Sequence, residues 1–408
     1  MITEALSVPA RPMVPSRSVA ACPCCGSNAT EALYRVAAIP VHSCVLLDTA
    51  EEARAFPQGD LELAYCDGCG FLFNRTFDER AMAYSANFEE SQHFSGTFNA
   101  FAKQLAGEIA EKCSVAGRHV LEIGCGKGEF LRELCRVSGA TGLGIDPAYR
   151  ADPGRSAEMQ SVHFIADYFG SEYQRLRADV ILCRHTLEHI ARVAEFVRAI
   201  RAMSSAGEGT WTVFETPDAK RVLAEGAFWD IYYEHCSYFS PGSHARLFRQ
   251  EEFEVTDLRL MYDHQYIVQY AKPARGRTRA DLPLEDDLEE MRRLAAKFAR
   301  HVETIGQKWH ERIRSASARG RRIVLWGGGS KAVSFLTTLR LGEEVQAAVD
   351  INPYKQGKFT PGTGHPVIAP QALVREPPDM VVVMNSIYAN EVKQSLKSLE
   401  LHPEVVSV

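Results

Sequence analysis

The stretch Val120-Leu121-Glu122-Ile123-Gly124-Cys125-Gly126-Lys127-Gly128 decides the fold of this chain. An apolar run that begins at His119 stops in a glycine-dense turn, and Phe130, Leu131 and Leu134 then recur at helical spacing. A strand, a glycine turn and a helix N-terminus let backbone N–H groups come close to a ligand. Glu122, just ahead of the turn, narrows the kind of ligand. A carboxylate there would repel a pyrophosphate, whereas a cationic group is accommodated.

Reading outward from the turn, the next candidate strand, Thr141–Asp146, ends on an acid 22 residues after Gly124. A carboxylate at that point can accept both hydroxyls of a ribose. A third short apolar run closes at Phe164-Ile165-Ala166-Asp167, where Asp167 suits an adenine amino group. The spacing E-x-G-x-G-x-G also differs in register from the G-x-G-x-x-G of a dinucleotide loop. The ordered series Glu122, Gly124, Gly126, Gly128, Asp146 and Asp167 resembles class I S-adenosylmethionine (SAM)-dependent methyltransferases. That resemblance implies SAM as cofactor, with its cationic amino-acid end near Glu122.

Around this unit the chain alternates strands and helices. A helix is expected near Phe98–Lys112, and strands at His119–Ile123, Asp179–Cys183, Thr210–Glu215, Glu254–Leu260 and Tyr266–Ala271. Alternation implies an open parallel sheet, and the closeness of the last two strands implies an antiparallel finish. A Pro- and Arg-containing linker from Lys272 to Pro283 precedes a long helix, Leu288 to Ala318. A second strand–glycine–helix unit starts at Arg322, with further strands near Val345–Asp350 and Met380–Met384. The expected division is a loose tail at 1–20, a metal-binding module at 21–83, the core at 84–272, linker and long helix at 273–318, and a second α/β domain at 319–408.

The metal expectation rests on two C-x-x-C pairs, Cys22/Cys25 and Cys66/Cys69, each followed by glycine. Both ends of one such run can reach a single tetrahedral ion, and a second pair completes four thiolates around Zn2+. A shell with four cysteine ligands has no open position, so its role is structural. Its binding energy, about 10–16 kcal/mol, can hold together a module with little core of its own. The surrounding residues are not basic, which weighs against a nucleic-acid-binding zinc module.

The net charge of −6 likewise gives no cause to expect bulk binding to nucleic acid or to a membrane surface. No apolar run is long enough to span a bilayer, and the N-terminus lacks a charged region followed by an apolar one. A cytoplasmic protein is expected.

Two polar clusters fall where the expected strands end, which is where open α/β sheets bind ligands. The first is Arg184-His185-Thr186-Leu187-Glu188-His189. It also matches H-x-x-E-H, which in some metallopeptidases puts two ligands on one helix face; here it follows a strand and lacks a third ligand. The second is Phe228-Trp229-Asp230-Ile231-Tyr232-Tyr233-Glu234-His235. Its bland reading is an aromatic core loop, and its functional reading is a general base, His235, in an aromatic-walled pocket. Imidazole suits proton abstraction near neutral pH.

The layout as a whole resembles the three-domain sugar C-methyltransferases, which methylate C-3 or C-5 of nucleotide-linked 4-keto-6-deoxyhexoses. The residues that carry the resemblance are the cysteine pairs, the Arg184–Ile190 and Ile231–His235 segments, Asp350-Ile351-Asn352-Pro353-Tyr354-Lys355-Gln356-Gly357-Lys358, and Pro361–Pro366. The resemblance implies that His235 removes the proton α to the ketone, and that Tyr232, Glu234 and His189 line the pocket. It implies that Tyr84 sits on the lid side and that His185 belongs to the cofactor end. The small-molecule acceptor, a nucleotide-linked ketosugar, would reach Lys331, Asn352, Pro353, Lys355 and Lys358 in the C-terminal domain. Two departures stand out: Tyr233 replaces a histidine, and the C-terminal turn reads Gly327-Gly328-Gly329-Ser330-Lys331-Ala332. In isolation that turn has the spacing of a dinucleotide loop.

Overall fold

The computed structural model describes residues 21–82, 87–150, 161–204, 209–274, 276 and 280–408. The expected tail at 1–20 and Tyr84 lie outside them.

The N-terminal module is antiparallel. Strands β1 (Thr30–Pro40), β2 (Gln58–Cys66) and β3 (Leu72–Asn74) pair in sequence order, and a short helix α1 (Ala50–Arg54) lies between β1 and β2. Helix α2 (Gly96–Lys112) leads into the core. Ser95 caps it by accepting the Phe98 N–H at 3.2 Å, which satisfies one of the amides left bare at a helix start.

The core sheet has seven strands. In chain order they are β4 (His119–Ile123), β5 (Thr141–Ile145), β6 (Val162–Ile165), β7 (Val180–Arg184), β8 (Trp211–Pro217), β10 (Phe253–Met261) and β11 (Tyr266–Pro273), with β9 (Ser237–Tyr238) set apart from them. Their order in space is β10-β11-β8-β7-β4-β5-β6. The strands from β6 to β8 run parallel, and β11 and β10 return antiparallel, as the sequence predicts. All five residues of β7, Val-Ile-Leu-Cys-Arg, are buried, the pattern of a strand covered on both faces. Helices α3 (Glu129–Ser138), α4 (Val193–Met203), α5 (Ala219–Glu225) and α6 (Pro241–Gln250) complete the core.

Strand β9 was not foreseen. It leaves the core and pairs with β3, Leu72 opposite Tyr238 and Phe73 opposite Ser237. The segment that precedes it, from Asp230 to Cys236, is thereby tied to the N-terminal sheet.

Helix α7 (Leu288–Ala318) spans the residues expected of it. Its buried Met291, Ala295, Phe298 and Val302 recur at three- and four-residue intervals and face the N-terminal module, where Phe298 meets Tyr34 edge-on at 5.6 Å. The C-terminal domain is a five-stranded parallel sheet of order β14-β13-β12-β15-β16, from β12 (Ile323–Trp326), β13 (Ala347–Val349), β14 (Val367–Ile368), β15 (Met380–Val383) and β16 (Glu404–Ser407). Helices α8 (Ser330–Leu339) and α9 (Ala389–Ser398) cover it.

One buried cluster joins the regions: Leu61 and Leu63 of β2, Phe228, Trp229 and Tyr233, Phe298 of α7, and Phe335 and Leu336 of α8. Each such side chain contributes about 1.5–3 kcal/mol on burial. Along a second seam Gln265 and Asn385 exchange amide hydrogen bonds at 3.0 and 2.9 Å. The Tyr262 hydroxyl donates to the Tyr388 hydroxyl at 2.7 Å. Among the described residues no helix is long and apolar enough to cross a membrane.

Candidate active site

Between the core and the C-terminal domain lies a cleft of about 1290 Å³. Its first end is formed by the turn after β4. Gly124 has φ 72°, and a Cβ there would lie 1.8 Å from Thr186 Oγ1, so both the backbone and the available space require glycine. Gly128, with φ 78°, caps α3, and a Cβ on it would enter the Phe164 ring at 2.3 Å. The Gly126 N–H donates to Asp146 Oδ2 at 2.8 Å, and the Ala148 N–H to Asp146 Oδ1 at 2.7 Å. Glu122 and Asp146 thus both face the cleft, as the spacing predicts.

Glu122 is 2% exposed, and its Oε2 has no partner among the described residues. Burial pushes its carboxyl up to about 8 against the pull of Arg184. Glu90, opposite the same turn, is also raised by burial to about 8. Two buried acids, each with a free carboxylate oxygen that finds no partner among the described residues, make this end fit a cationic ligand. Asp167 does not join them. It is exposed, and its Oδ2 accepts the Tyr173 hydroxyl at 2.6 Å. Its neighbours Tyr168 and Phe169 line the cleft instead.

At the middle of the cleft β7 ends in Arg184 and His185. Arg184 Nε donates to Glu215 Oε2 at 2.5 Å, and His185 contacts Glu215 Oε1 through Nε2 at 3.1 Å. Burial alone would depress the imidazole of His185, but Glu215 and Glu188 outweigh it and raise it to about 9. His185 is therefore a cation at neutral pH. The following Leu187–His189 turn is a single 3-10 turn, so the H-x-x-E-H residues do not share an α-helical face.

The second end gathers His189, Tyr232, His235 and Lys331. The His235 ring stands edge-on to His189 at 4.7 Å and to Tyr232 at 4.5 Å. Burial, and then the charges of His189, His185 and Lys331, hold it well below the usual imidazole range. His189 Nδ1 donates to the Glu234 carbonyl oxygen at 3.1 Å, which fixes its tautomer. The Tyr232 hydroxyl donates to Asp230 Oδ1 at 2.9 Å, and Asp230 also holds Arg221 at 2.8 Å and Lys331 at 2.7 Å. Asn352 is anchored through Nδ2 to Glu89 Oε1 at 3.0 Å, and Lys355 lies 3.9 Å from Asp350; both line the cleft.

Glu234 lines the cleft as expected, while Pro353 and Lys358 do not. The Glu234 carboxylate is 2% exposed and turned to His42 and Ser43 of the N-terminal module. Pro353 is exposed and does not line the cleft, and Lys358 is ion-paired with Asp48. Tyr233, the departure in the aromatic segment, is buried behind the cleft. It accepts the Asp78 N–H at 3.0 Å, and its ring lies 2.5 Å from where a Cβ on Gly59 would stand. The Gly327–Ser330 turn does line the cleft, with Ser330 Oγ 3.2 Å from Cys44 Sγ. Sequence reasoning missed His42, Asp230 and Glu215. Asp230 lay inside the aromatic segment two residues before Tyr232, and His42 interrupts an apolar run; those were the available signals.

Among the described residues, two groups of side chains have donor atoms close enough for one metal ion. In the first, Cys22, Cys25, Cys66 and Cys69, all four sulfurs lie within 4.8 Å of one another. Sγ separations of 3.7 Å (Cys22–Cys69) and 3.6 Å (Cys25–Cys66) are too long for disulfides. They match the about 3.8 Å between sulfurs of a tetrahedral Zn2+–thiolate shell. Matching turns, Gly26 N–H to the Cys22 carbonyl and Gly70 N–H to the Cys66 carbonyl, both at 2.8 Å, present the pairs. The second group is Glu188, His189 and His235 at the acceptor end.

Comparison with known proteins agrees with this architecture. Residues 73–258 match the family model described as a methyltransferase domain, and residues 259–402 match that of a C-methyltransferase C-terminal domain. C-methyltransferase NovU of Streptomyces niveus is 26% identical over 360 residues, 85% of this chain and 84% of that protein. A ubiquinone biosynthesis O-methyltransferase of Bordetella parapertussis is 30% identical over 169 residues, 36% of this chain and 67% of that protein. The solved 1,6-didemethyltoxoflavin-N1-methyltransferase of Burkholderia thailandensis, with bound S-adenosylhomocysteine, covers 44% of this chain and 82% of its own at 17% identity and a TM-score of 0.34. With the two family matches adjoining from residue 73 to 402 and the NovU similarity running through both, the chain belongs to the SAM-dependent C-methyltransferases that join a methyltransferase domain to a C-methyltransferase C-terminal domain.

Proposed function

We propose that this enzyme methylates the carbon α to the ketone of a small-molecule acceptor, a nucleotide-linked 4-keto-6-deoxy sugar at C-3 or C-5, with His235 as the base. The observation that carries the reading is the position and state of His235. It lies in the same cleft as the glycine turn, edge-on to His189 and Tyr232, and burial keeps it neutral. A neutral imidazole is free to take a proton, and the adjacent carbonyl, with cationic groups near its oxygen, acidifies the C–H bond it must break.

Bound SAM supplies an electrophilic methyl group on a sulfonium; Glu122, Gly124, Gly126, His185 and Asp146 would hold it. On this reading the α-proton passes to His235, and the electron pair delocalises onto the ketone oxygen as an enediolate. The carbon then forms its bond to the methyl as the S–CH3 bond breaks. Cationic His185 and Lys331 line the cleft and favour negative charge developing on the acceptor. Lys331, Asn352 and Lys355 would meet the distal part of the acceptor. Tyr233 lies behind the cleft, so its departure from the related enzymes need not alter the acceptor. The four-cysteine cluster would hold a structural Zn2+ within a module of residues 21–83. The core would run from 84 to 272, linker and helix from 273 to 318, and the acceptor-binding domain from 319 to 408.

The test is incubation with methyl-labelled SAM and a nucleoside-diphosphate 4-keto-6-deoxyhexose in D2O. A new C–CH3 bond is expected in the product, whose methylated carbon keeps no hydrogen, and solvent deuterium is expected at the α-carbon of unmethylated acceptor recovered from incubation with S-adenosylhomocysteine in place of SAM; full turnover by His235→Asn would sink the base assignment. A methyl group found on oxygen, without exchange at carbon, would instead point to a different acceptor.

A further inference from the structure

We propose that His42, on the N-terminal module, is a positioning residue for the His189–His235 pair, acting through Glu234. The proposal rests on the reading of His235 as the base. His42 follows β1 and donates Nδ1–H to Glu234 Oε2 at 2.9 Å, with the two side chains 4% and 2% exposed. The Ser43 N–H lies 3.2 Å from both oxygens of the same carboxylate. A carboxylate this deeply buried needs such partners, because an unpaired charge in the interior is strongly unfavourable.

The other end of Glu234 faces the chemistry. Its carbonyl oxygen accepts the Nδ1–H of His189 at 3.1 Å, and its peptide leads directly into His235. One residue therefore connects the N-terminal module to both imidazoles. If the carboxylate is released, the peptide that carries the His189 hydrogen bond and the His235 Cα is free to turn. Neighbouring residues are pinned by different means: Asp230 by Arg221 and Lys331, Tyr233 by the Asp78 amide, and β9 by β3. Those contacts hold the segment in place, whereas the His42 contact sets the rotation of the peptide beside the base. A displacement of about 1 Å in a reacting group can cost about 10²-fold in rate.

Three variants of the full-length protein test this, each in the complex with S-adenosylhomocysteine and each melted to establish folding. His42→Leu removes the donor. His42→Asn keeps an N–H at the Nδ1 position, and His42→Gln carries it one bond further out. The first readout is the hydrogen-bonded Nδ1–H resonance of His189 in protein labelled with 15N-histidine, which needs no acceptor. It is expected in wild type and His42→Asn and absent in His42→Leu. The second is turnover with labelled SAM and a nucleoside-diphosphate 4-keto-6-deoxyhexose. His42→Leu is expected to lose about 10²-fold in kcat with the KM for SAM unchanged, and His42→Asn to recover to within about fivefold. If His42→Leu does not melt cooperatively, His42→Gln is read in its place, with the resonance shifted and kcat about tenfold down. A wild-type His189 resonance in His42→Leu (or in His42→Gln, when that is the variant read) overturns the proposal, as does a His42→Asn variant as impaired as the leucine variant. His235→Asn at full turnover with an intact His189 resonance would instead remove the base assignment, so the two failures are separable.

Discussion

The cofactor end of the cleft takes Glu122, Gly124, Gly126 and Asp146 from 25 consecutive residues, whereas the acceptor end draws His235 from the core, Lys331 from the C-terminal domain and, behind them, His42 from the N-terminal module. The first is held by backbone sterics and short-range hydrogen bonds within one strand–turn–helix–strand unit. The second exists only when separate regions dock, and its side chains are mostly held by one another. Damage to the docking should therefore silence the acceptor end and leave the cofactor end working.

The strongest way to break that contrast is to remove the metal shell. Cys66→Ala, or stripping with a chelator, is expected to abolish acceptor-dependent turnover, because binding worth about 10–16 kcal/mol no longer supports the module that carries β3 and His42. SAM affinity measured by calorimetry should fall far less than turnover, since of that end only the Phe88–Glu90 segment leans on the module, through the Glu89 N–H to the Cys44 carbonyl; a collapse of both would refute the independence of the two ends. Next, His235→Asn should lower kcat by about 10²–10⁴-fold with SAM affinity intact.

A smaller effect sharpens the comparison from the other side. Glu122→Gln should weaken SAM by about 10–100-fold, the value of a charge-assisted contact of about 1.5–3 kcal/mol, with the histidine resonances of the acceptor end unmoved. Because burial holds the free Glu122 carboxyl at about 8, it is protonated at pH 7 and must lose that proton to pair with a cation. SAM affinity should thus rise from pH 6 and level off above about 8, and binding at neutral pH should release a proton. Calorimetry in buffers of different ionisation enthalpy reads that proton. A pH dependence that survives Glu122→Gln would move the effect to Glu90. The smallest change is expected from Lys358→Ala, which removes a partly exposed ion pair with Asp48 and should cost under about 1 kcal/mol in thermal unfolding.

The core fold, and the meeting of the glycine turn and Asp146 at one cleft, could be read in advance because their signals are local. The glycine turn, the acid after β5 and the stripe along α7 all fall within helical or strand periods. Asp167 stands outside the cleft lining because spacing gives the end of β6 and not the direction of the side chain, which accepts from the Tyr173 hydroxyl. Lys358 was expected in the cleft because it stands in a motif, yet it pairs with Asp48; Glu234 does line the cleft, but its carboxylate is engaged by His42. Strand β9 was missed because two residues have no readable period, and their partner β3 is more than 160 positions away.

The sequence by itself determined the two α/β units, the methyl-donor turn and the four-thiolate cluster, because each is encoded by spacing within a short run of chain. The tertiary structure alone decided which face of the Asp230–His235 segment meets the cleft, that Tyr233 lies behind it, and that the Glu234 carboxylate pairs with His42. Those outcomes depend on which buried charges and rings find partners across module boundaries. Pairing of that kind is set by packing in three dimensions, and no local pattern records it.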